Sequence, residues 1–278
     1  MGRNIKRNVK ILGYIIAVII TFELLLRIFI PELNYFYKAS LYFRYAMEDN
    51  GLYWINKPGY QDDNVRINSM GYRSFETAEK WSKRLLILGD SVGFGWGVCQ
   101  DSIFSSRLNL DYEIINCSIP GSNTIEQARL LQYEGLSLQP DIVLMIITNN
   151  DVANRSKRPT RLQKNLYRSY LLTALFYIKK RSIKPYYDRL QYNHAQHALE
   201  KIYDLCRTKL ICCLYTTPEL IKKDKVMRFY AQFLIDNKIP FFIFSSEVLN
   251  HPINRIDRHP NERGHELIAE TIEYVFKN

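Results

Sequence analysis

Five short apolar runs are the most regular feature in the pattern of hydrophobic and polar positions. Most are rich in Ile, Val or Phe, and they lack the apolar–polar alternation of a half-exposed strand. Continuous apolar runs of this length are typical of strands that are buried on both faces, as in a parallel sheet. The predicted strands are Leu85–Leu88, Ile114–Ile119, Ile142–Thr148, Leu210–Tyr215 and Phe241–Phe244.

Helical patterns separate these runs. Apolar residues at helical spacing predict helices over Thr124–Leu138, Ala198–Cys206, Pro218–Asn237 and Glu262–Phe276. Buried strands that alternate with helices indicate an α/β fold, in which helices cover both faces of a parallel sheet. We therefore expect a three-layer α/β/α architecture with a mostly parallel sheet of about five strands.

The N-terminal segment Ile11–Ile30 is apolar nearly all round. At ~1.5 Å per residue it is about 30 Å long, which matches a bilayer core. Glu23 and Arg27 interrupt it, and each charge costs roughly 2.5–3.5 kcal/mol at mid-membrane. The two lie four residues apart, so they share a helix face and can pair. A cleaved signal peptide and an amphipathic surface helix are the alternatives. The missing small-x-small cleavage site and the apolar periphery favour an uncleaved single-pass transmembrane anchor over both.

Positive charges before this segment predict its orientation. Arg3, Lys6, Arg7 and Lys10 precede the apolar run without an acidic residue among them. The positive-inside rule then places residues 1–10 in the cytoplasm and the rest of the chain outside it.

Two further segments differ from the predicted α/β core. Residues 31–83 are aromatic and turn-rich, and we expect a small hairpin region that connects the anchor to the core. Residues 152–190 carry 11 Lys and Arg side chains and one Asp, and this excess equals the net charge of +10 for the 278-residue chain. Such a basic insertion can face anionic lipid or an acidic glycan. The apolar stretch Tyr170–Ile178 favours lipid slightly, and export disfavours nucleic acid.

A glycine-rich stretch, LLILGDSVGFGWGV, follows the first predicted strand. A phosphate-binding Walker loop needs a Lys, and none lies between Gly89 and Val98. A dinucleotide-binding loop needs a different glycine spacing and a later acidic residue. The stretch does place Asp90 and Ser91 at the carboxyl end of a parallel strand, where open α/β sheets hold their ligands.

Ser91 becomes a candidate nucleophile because a base and an orienting acid occur elsewhere. His259 can accept the serine proton, and Asp257 can orient the imidazole ring. Two further strand ends offer donors for an oxyanion, the backbone N–H of Gly121 and the side-chain amide of Asn150. Taken singly, Gly121 fits a plain turn and Asn150 a helix cap or an Asx turn.

These motifs together resemble the SGNH hydrolase superfamily, also called GDSL esterases and lipases, over about residues 84–278. The resemblance implies that Ser91 is the nucleophile and an oxyanion donor, that Gly121 and Asn150 complete the oxyanion hole, and that His259 is the base with Asp257 as its partner. The matching blocks are "GDS" at Gly89–Ser91, "PGSN" around Gly121, "ND" at Asn150–Asp151 and "DRHPN" at Asp257–Asn261.

The chain departs from the family pattern at two positions. Thr148 stands where the third block usually has Gly. Asp257 lies two residues before His259, where the family often has Asp three residues before, at the position of Ile256. A Ser–His dyad is the alternative to a triad.

The resemblance, combined with the anchor, implies a membrane-bound serine esterase that removes O-acetyl groups from a cell-envelope or extracellular carbohydrate. An O-acyltransferase that uses the same residues is the alternative enzyme, and a non-catalytic envelope or polysaccharide-binding protein is the alternative from another class. No cofactor or metal is expected. The five cysteines have neither disulfide-framework nor metal-ligand spacing.

Overall fold

A computed structural model of the protein describes residues 2–77, 79–154, 159–182 and 185–278. The chain forms two compact units, each built from several stretches of sequence. The first consists of Met1–Arg44, Arg158–Pro185 and Asn254–Asp257, and the second of Tyr45–Lys157, Tyr186–Ile253 and Arg258–Asn278. The predicted domain boundaries, with an anchor at 11–30 and a hydrolase domain at 84–278, stay a prediction.

The described residues form α-helices, β-strands and short 3-10 turns. The helices are α1 (Gly2–Phe29), α2 (Asn34–Tyr45), α3 (Ser91–Phe94), α4 (Phe104–Arg107), α5 (Thr124–Tyr133), α6 (Arg161–Leu166), α7 (Tyr170–Ser182), α8 (Arg189–Cys206), α9 (Pro218–Ile221), α10 (Lys225–Asp236), α11 (Ser246–Leu249) and α12 (Glu262–Lys277). The strands are β1 (Met47–Asp49), β2 (Trp54–Asn56), β3 (Arg84–Leu88), β4 (Glu113–Asn116), β5 (Ile142–Ile147), β6 (Leu210–Leu214) and β7 (Phe241–Ile243).

The first unit contains α1, α2, α6 and α7. Within α1, the span Ile5–Phe29 contains an 18-residue stretch with a mean hydropathy of 2.3, and its length and composition are sufficient to cross a membrane. A signal sequence near the N-terminus has the same length and apolar character. Glu23 and Arg27 do pair, with 2.8 Å between a guanidinium nitrogen and a carboxylate oxygen.

The second unit contains a five-stranded parallel sheet in the order β4-β3-β5-β6-β7. In chain order this is 2-1-3-4-5, the doubly wound arrangement in which strand order reverses beside the first strand. The predicted α/β architecture with about five mostly parallel strands is confirmed. A separate antiparallel pair, β1 and β2, precedes the sheet.

Helices cover the sheet because right-handed crossovers on the two sides of β3 run in opposite directions. Alternate residues of β3 and β5 face one core, where they meet α4, α11 and α12. The strands are largely apolar, as expected when both faces are covered, and every residue of β3 is buried, including Arg84. The core residues on this face include Leu85, Ile87, Leu144, Ile146, Phe104, Val248, Leu267, Ile268 and Ile272.

The predicted elements differ from the observed ones mainly among the helices. Pro218–Asn237 divides into α9 and α10 because Asp224 caps a new helix, accepting a hydrogen bond from the N–H of Val226 at 2.8 Å. Helix α2 was not predicted within the segment 31–83, where we expected a hairpin region. The basic insertion contains α6 and α7. Its residues Arg155, Lys157, Arg158 and Lys184 lie outside the described part of the chain.

Candidate active site

The candidate nucleophile lies at the turn between β3 and α3. Asp90, 1% exposed, caps α3 by accepting a hydrogen bond from the N–H of Val92 at 2.9 Å. Ser91 is the first residue of α3, and it is partly exposed. A strand that ends in a buried cap followed by an accessible serine presents the hydroxyl at the carboxyl edge of the sheet. This is where ligands of open α/β sheets bind.

Close packing explains two glycines of the stretch after β3. A Cβ on Gly93 would lie 2.5 Å from the hydroxyl of Ser118, and one on Gly95 would lie 2.4 Å from a methyl group of Ile103. Gly95 also has φ 85°, a left-handed conformation that L side chains rarely adopt. These glycines therefore allow the turn to pack tightly.

A buried arginine binds the carbonyl groups of this glycine-rich turn. Arg73 is 1% exposed, and its guanidinium donates to the backbone oxygens of Phe94, Gly95 and Val98 at 3.1, 2.7 and 2.7 Å. It also donates to the side chain of Gln100 at 3.1 Å. The carbonyl groups of the turn therefore point at the buried Arg73 guanidinium. In a phosphate-binding loop, by contrast, the backbone N–H groups point at the ligand.

The candidate base lies against the candidate nucleophile. The Nε2 atom of His259 is 2.8 Å from the Oγ atom of Ser91, which is hydrogen-bond distance. The indole of Trp96 lies beside the imidazole, with 6.3 Å between the ring centroids. A serine hydroxyl that donates to an imidazole is the arrangement in which the hydroxyl can be deprotonated as it attacks.

The loop that carries His259 is anchored on both sides. Pro252 and Pro260 form an isolated antiparallel bridge, and the N–H of Ile253 donates to the carbonyl of His259 at 2.8 Å. Directly after the loop, Asn261 caps α12 by accepting from the N–H groups of two residues, Arg263 and Gly264. The polar turn before the last helix therefore has a defined conformation.

The third block forms a buried polar cluster around one hydroxyl. The Oγ1 atom of Thr148 lies 3.0 Å from a carboxylate oxygen of Asp90, 2.5 Å from Oδ1 of Asn150 and 3.3 Å from a carboxylate oxygen of Asp151. Burial, followed by the charge of Asp90, raises the pKa of Asp151 well above its ordinary value. A protonated Asp151 relieves the repulsion between two buried acids and can donate a hydrogen bond.

Thr148 therefore connects Asp90, the residue directly before Ser91, to the exposed side chain of Asn150. When the Thr148 hydroxyl donates to Oδ1 of Asn150, the Nδ2 group of that amide points the other way. A side-chain N–H group held in this manner is suited to bind a developing oxyanion.

Gly121 lies in the turn after β4 with φ 75°. The next residue, Ser122, is buried and donates a hydrogen bond from its hydroxyl to the carbonyl of Gly89 at 3.0 Å. The N–H of Ile119 donates to the same carbonyl at 3.0 Å. These bonds fasten the turn of Gly121 to the end of β3, two residues before Ser91.

Asp257 belongs to the first unit. It is buried, and its N–H donates to Oδ1 of Asn254 at 2.7 Å in a compact turn. Burial and, secondarily, the charge of Asp257 raise the pKa of the Tyr35 phenol. The pairing of Asp257 with His259 stays a prediction.

The described residues thus bring Ser91 and His259 together and place Asn150 in a hydrogen-bonded chain that reaches Asp90. Three neighbours were missed from sequence: Arg73, Trp96 and the bonding role of Thr148. The glycine spacing drew attention to the stretch that contains Trp96, but a buried arginine has no signal in a hydropathy pattern. Among the described residues, no group of three or more His, Cys, Asp and Glu side chains could hold a metal ion.

Several solved structures match part of the chain. They include TesA (16% identity, TM-score 0.49, covering 70% of this chain and 98% of that one). They also include a putative lipolytic protein of the G-D-S-L family from Desulfitobacterium hafniense (13%, 0.48, 69% and 99%). A two-domain esterase active on acetylated mannans matches over 70% of this chain and 49% of its own (16%, 0.47). No protein-family model and no curated protein sequence matches.

Proposed function

We propose that the protein is a serine hydrolase of the SGNH type, an esterase that acts through an acyl-enzyme. The observation that carries this proposal is the 2.8 Å distance between Ser91 Oγ and His259 Nε2 at the carboxyl edge of the sheet. In acyl transfer, an imidazole in contact with a serine hydroxyl can take the proton of that hydroxyl as its oxygen attacks the ester carbonyl.

The proposed reaction has two halves. The Ser91 hydroxyl attacks the ester carbonyl while His259 takes its proton, and the tetrahedral oxyanion is stabilised by the N–H groups of Ser91 and Gly121 and the amide of Asn150. Collapse of this intermediate breaks the bond to the alcohol, which leaves with the proton from His259. Water then attacks the acyl-enzyme with His259 again as the base, releasing the acid.

An O-acetylated carbohydrate of the cell envelope or outside the cell is the substrate class that we propose. Ser91 is partly exposed, Gly121 is partly exposed and Asn150 is exposed. A site at an open sheet edge suits a small acyl group on a bulky, hydrated alcohol better than a long acyl chain, which needs a deep apolar channel.

We propose that α1 is an uncleaved membrane anchor with its basic N-terminus in the cytoplasm and the catalytic domain outside. The apolar length of Ile5–Phe29 supports the anchor, and the positive-inside rule supports the orientation. No nucleic acid is expected as a partner, and no cofactor or metal is needed for the proposed chemistry.

The experiment that tests the proposed function is ester hydrolysis by the full chain in detergent micelles. Wild type should cleave a chromogenic acetyl ester faster than a longer acyl ester, and a fluorophosphonate probe should label it. Ser91→Ala should abolish both activity and labelling, whereas Ser137→Ala, at an exposed serine, should leave both unchanged.

Three outcomes would contradict parts of this proposal. Equal labelling of wild type and Ser91→Ala would exclude Ser91 as the nucleophile. Transfer of the acetyl group to an added oligosaccharide in preference to water would identify an acyltransferase. A chain that is inactive and unlabelled, yet retains an acetylated polysaccharide on an affinity column, would be a binding protein.

A further inference from the structure

A carboxylate in α1 forms the N-terminal cap of a second helix. Glu23 accepts hydrogen bonds from the backbone N–H groups of Tyr170 and Leu171 and from the hydroxyl of Ser169, each at 2.9 Å. Arg27 donates to the same carboxylate at 3.0 Å. An anion at the N-terminus of a helix is stabilised by the unpaired N–H groups and by the helix dipole. The charged pair that interrupts the apolar helix is therefore a docking point for α7.

Further contacts around the start of α7 involve the outer end of α1. Arg27 donates to the carbonyl of Arg168 at 2.8 Å, and its guanidinium lies 4.6 Å from the centre of the Tyr170 ring. The Tyr170 hydroxyl donates to the carbonyl of Pro31 at 3.3 Å. Glu23 lies six residues before the end of α1, about 9 Å along a helix axis. Helix α7 therefore begins near the end of the predicted membrane span.

The outward face of α7 is apolar. Leu172, Leu175 and Ile178 are 43%, 56% and 65% exposed, and Phe176 is 38% exposed although one side of its ring contacts Phe36. Thr173 on the opposite face is 1% exposed. An amphipathic helix in water turns its apolar side inward. Helix α7 leaves large apolar side chains on its outward side as well, so its outward face requires an apolar environment.

The charge of α7 is concentrated at its C-terminal end. Lys179, Lys180 and Arg181 occupy the last turn and are exposed. With 13 residues, α7 is about 20 Å long and is too short to cross a bilayer. A short helix with an apolar face and basic residues is typical of helices that lie in the membrane interface.

We propose that α7 is an interfacial membrane helix that is clamped to the anchor by Glu23, with its apolar face among the acyl chains and its basic end at anionic lipid headgroups. This inference rests on the proposed membrane anchor. An acidic glycan would fit the basic end, but it offers nothing to four exposed apolar side chains, which is why we favour the lipid.

The test uses tryptophan fluorescence of the full chain in nanodiscs made from lipids brominated along the acyl chain, which quench nearby indoles. Three variants each add one tryptophan: Tyr14→Trp reports on the anchor, Phe176→Trp on α7, and Tyr274→Trp on an exposed position of α12 as the matched control. After subtraction of the wild-type signal, we expect quenching at positions 14 and 176 and none at 274.

The outcomes separate the inference from the anchor. Quenching at position 14 without quenching at 176 would overturn the inference and leave the anchor intact. Absence of quenching at both positions would overturn the anchor and the inference with it. Quenching at all three positions would show nonspecific lipid contact and would equally overturn the inference.

A second arm tests the headgroup charge. On nanodiscs with one quarter phosphatidylglycerol, quenching at position 176 should exceed that on phosphatidylcholine alone. Replacing Lys179, Lys180 and Arg181 with Gln should weaken the interfacial equilibrium of α7 by roughly 10²-fold and abolish the difference. The same replacement of Lys222, Lys223 and Lys225 is the control and should change nothing. Equal quenching at position 176 on the two lipid compositions, together with retention on immobilised polygalacturonate that the Gln variant loses, would mean that the basic end binds an acidic glycan and that the headgroup assignment is wrong.

Discussion

At the scale of single residues, Thr148 explains how an exposed amide can be held in one orientation. Its hydroxyl lies 2.5 Å from Oδ1 of Asn150, and it also lies 3.0 and 3.3 Å from the carboxyl oxygens of two buried acids, Asp90 and Asp151. An exposed Asn side chain without such a partner would rotate and lose part of its effect on an oxyanion. Thr148 is thus a positioning residue in the proposed mechanism.

We predict that Thr148→Val lowers kcat about tenfold with little change in KM, and that Thr148→Ser restores it. Valine keeps the shape of threonine but removes the hydroxyl, so the amide of Asn150 is present but less well oriented. Asn150→Ala gives the upper limit, a loss of about 10²–10³ in kcat for a missing oxyanion donor. Steady-state kinetics on an acetyl ester measures these values. Equal kcat for the Val and Ser variants would mean that Asn150 is oriented without Thr148.

The role of Asp257 is a second prediction at this scale. If Asp257 orients His259, Asp257→Asn should lower kcat by about 10²–10³, less than the ~10⁴ of a buried protease triad because this site is more open. His259→Ala should cost at least as much, and the double variant should be hardly worse, because the two residues act as one unit. Retention of most activity by Asp257→Asn beside an inactive His259→Ala would support a Ser–His dyad.

The parts of the site that could be predicted from sequence are those that local motifs encode. Ser91 and His259 each occur in a local motif, and the carboxyl ends of parallel strands meet at one edge, so their approach could be predicted. The contacts of Arg73 and Thr148 depend on tertiary packing between segments that are distant along the chain. No local pattern encodes them.

At the scale of secondary-structure elements, the strands were easier to predict than the helices. Each observed core strand begins within one residue of its predicted start, because burial on both faces produces a continuous apolar run. The division between α9 and α10 depends on the cap at Asp224, a local polar signal inside a segment whose apolar period continues. Helix α2 is rich in aromatic residues with weak helix propensity, which is why the segment looked turn-rich.

The cap on α7 gives a prediction at this scale. Glu23→Leu should speed amide hydrogen exchange at Tyr170 and Leu171 by roughly 10-fold or more, because a net loss of about 1–2 kcal/mol is typical when a helix cap is removed. Glu23→Gln, which keeps one acceptor oxygen, should have a smaller effect. Hydrogen exchange with mass spectrometry on the nanodisc-bound chain measures both.

Glu32→Gln is the control for this experiment, because the Glu32 carboxylate pairs with Arg255 in the same unit, whereas the Glu23 carboxylate caps α7. It should leave exchange at Tyr170 and Leu171 unchanged. If Glu23→Leu also leaves it unchanged, α7 is held by packing around Phe36, which contacts Phe176 and Tyr177, and the cap is unimportant.

At the scale of the whole molecule, the excess of positive charge and the apolar N-terminus are properties of composition, and sequence locates both. Composition does not reveal that Glu23, a charged residue within an apolar helix, accepts hydrogen bonds from the start of α7 in the basic insertion. The fold class followed from the alternation of strands and helices. The separation of the chain into two units, with Asn254–Asp257 joined to the N-terminal helices, could not be anticipated because it depends on packing across more than 200 residues.

Acid stability is a property of the whole molecule that one buried histidine is expected to influence. His265 is fully buried and stacks on Phe104, and its Nδ1 accepts a hydrogen bond from the N–H of the same residue at 3.3 Å. Burial, and then the positive charges of Arg73 and other nearby cations, lower the pKa of His265 from 6.5 to about 3. The folded protein therefore keeps this ring neutral, whereas the unfolded chain protonates it below pH 6.5.

The sign of the effect follows from proton binding. Below pH 6.5, His265 binds a proton in the unfolded state but stays neutral in the folded state. The stability associated with neutral His265 is therefore present above pH 6.5 and is lost as the pH falls towards 3. Between pH 6.5 and 4.5 the loss should be about 2–3 kcal/mol, at 1.36 kcal/mol per pH unit. Asp151, whose pKa is raised, acts in the opposite sense, since its protonated form is favoured in the folded state and its contribution falls as the pH rises.

We predict that His265→Asn removes this acid-sensitive term. The Asn Oδ1 can replace Nδ1 as the acceptor for Phe104, and the side chain does not titrate. The variant should be less stable than wild type at pH 7.5 because stacking is lost, but its stability should fall by about 2–3 kcal/mol less on going to pH 4.5. Urea unfolding of the full chain in detergent at both pH values gives this double difference, in which Asp151 and the other carboxyl groups cancel. His197→Asn, at a histidine side chain that is 75% exposed, is the control and should match wild type at both pH values. If wild type and His265→Asn lose equal stability between the two pH values, His265 is protonated in the folded state. Its side chain would then become accessible to solvent before the chain unfolds.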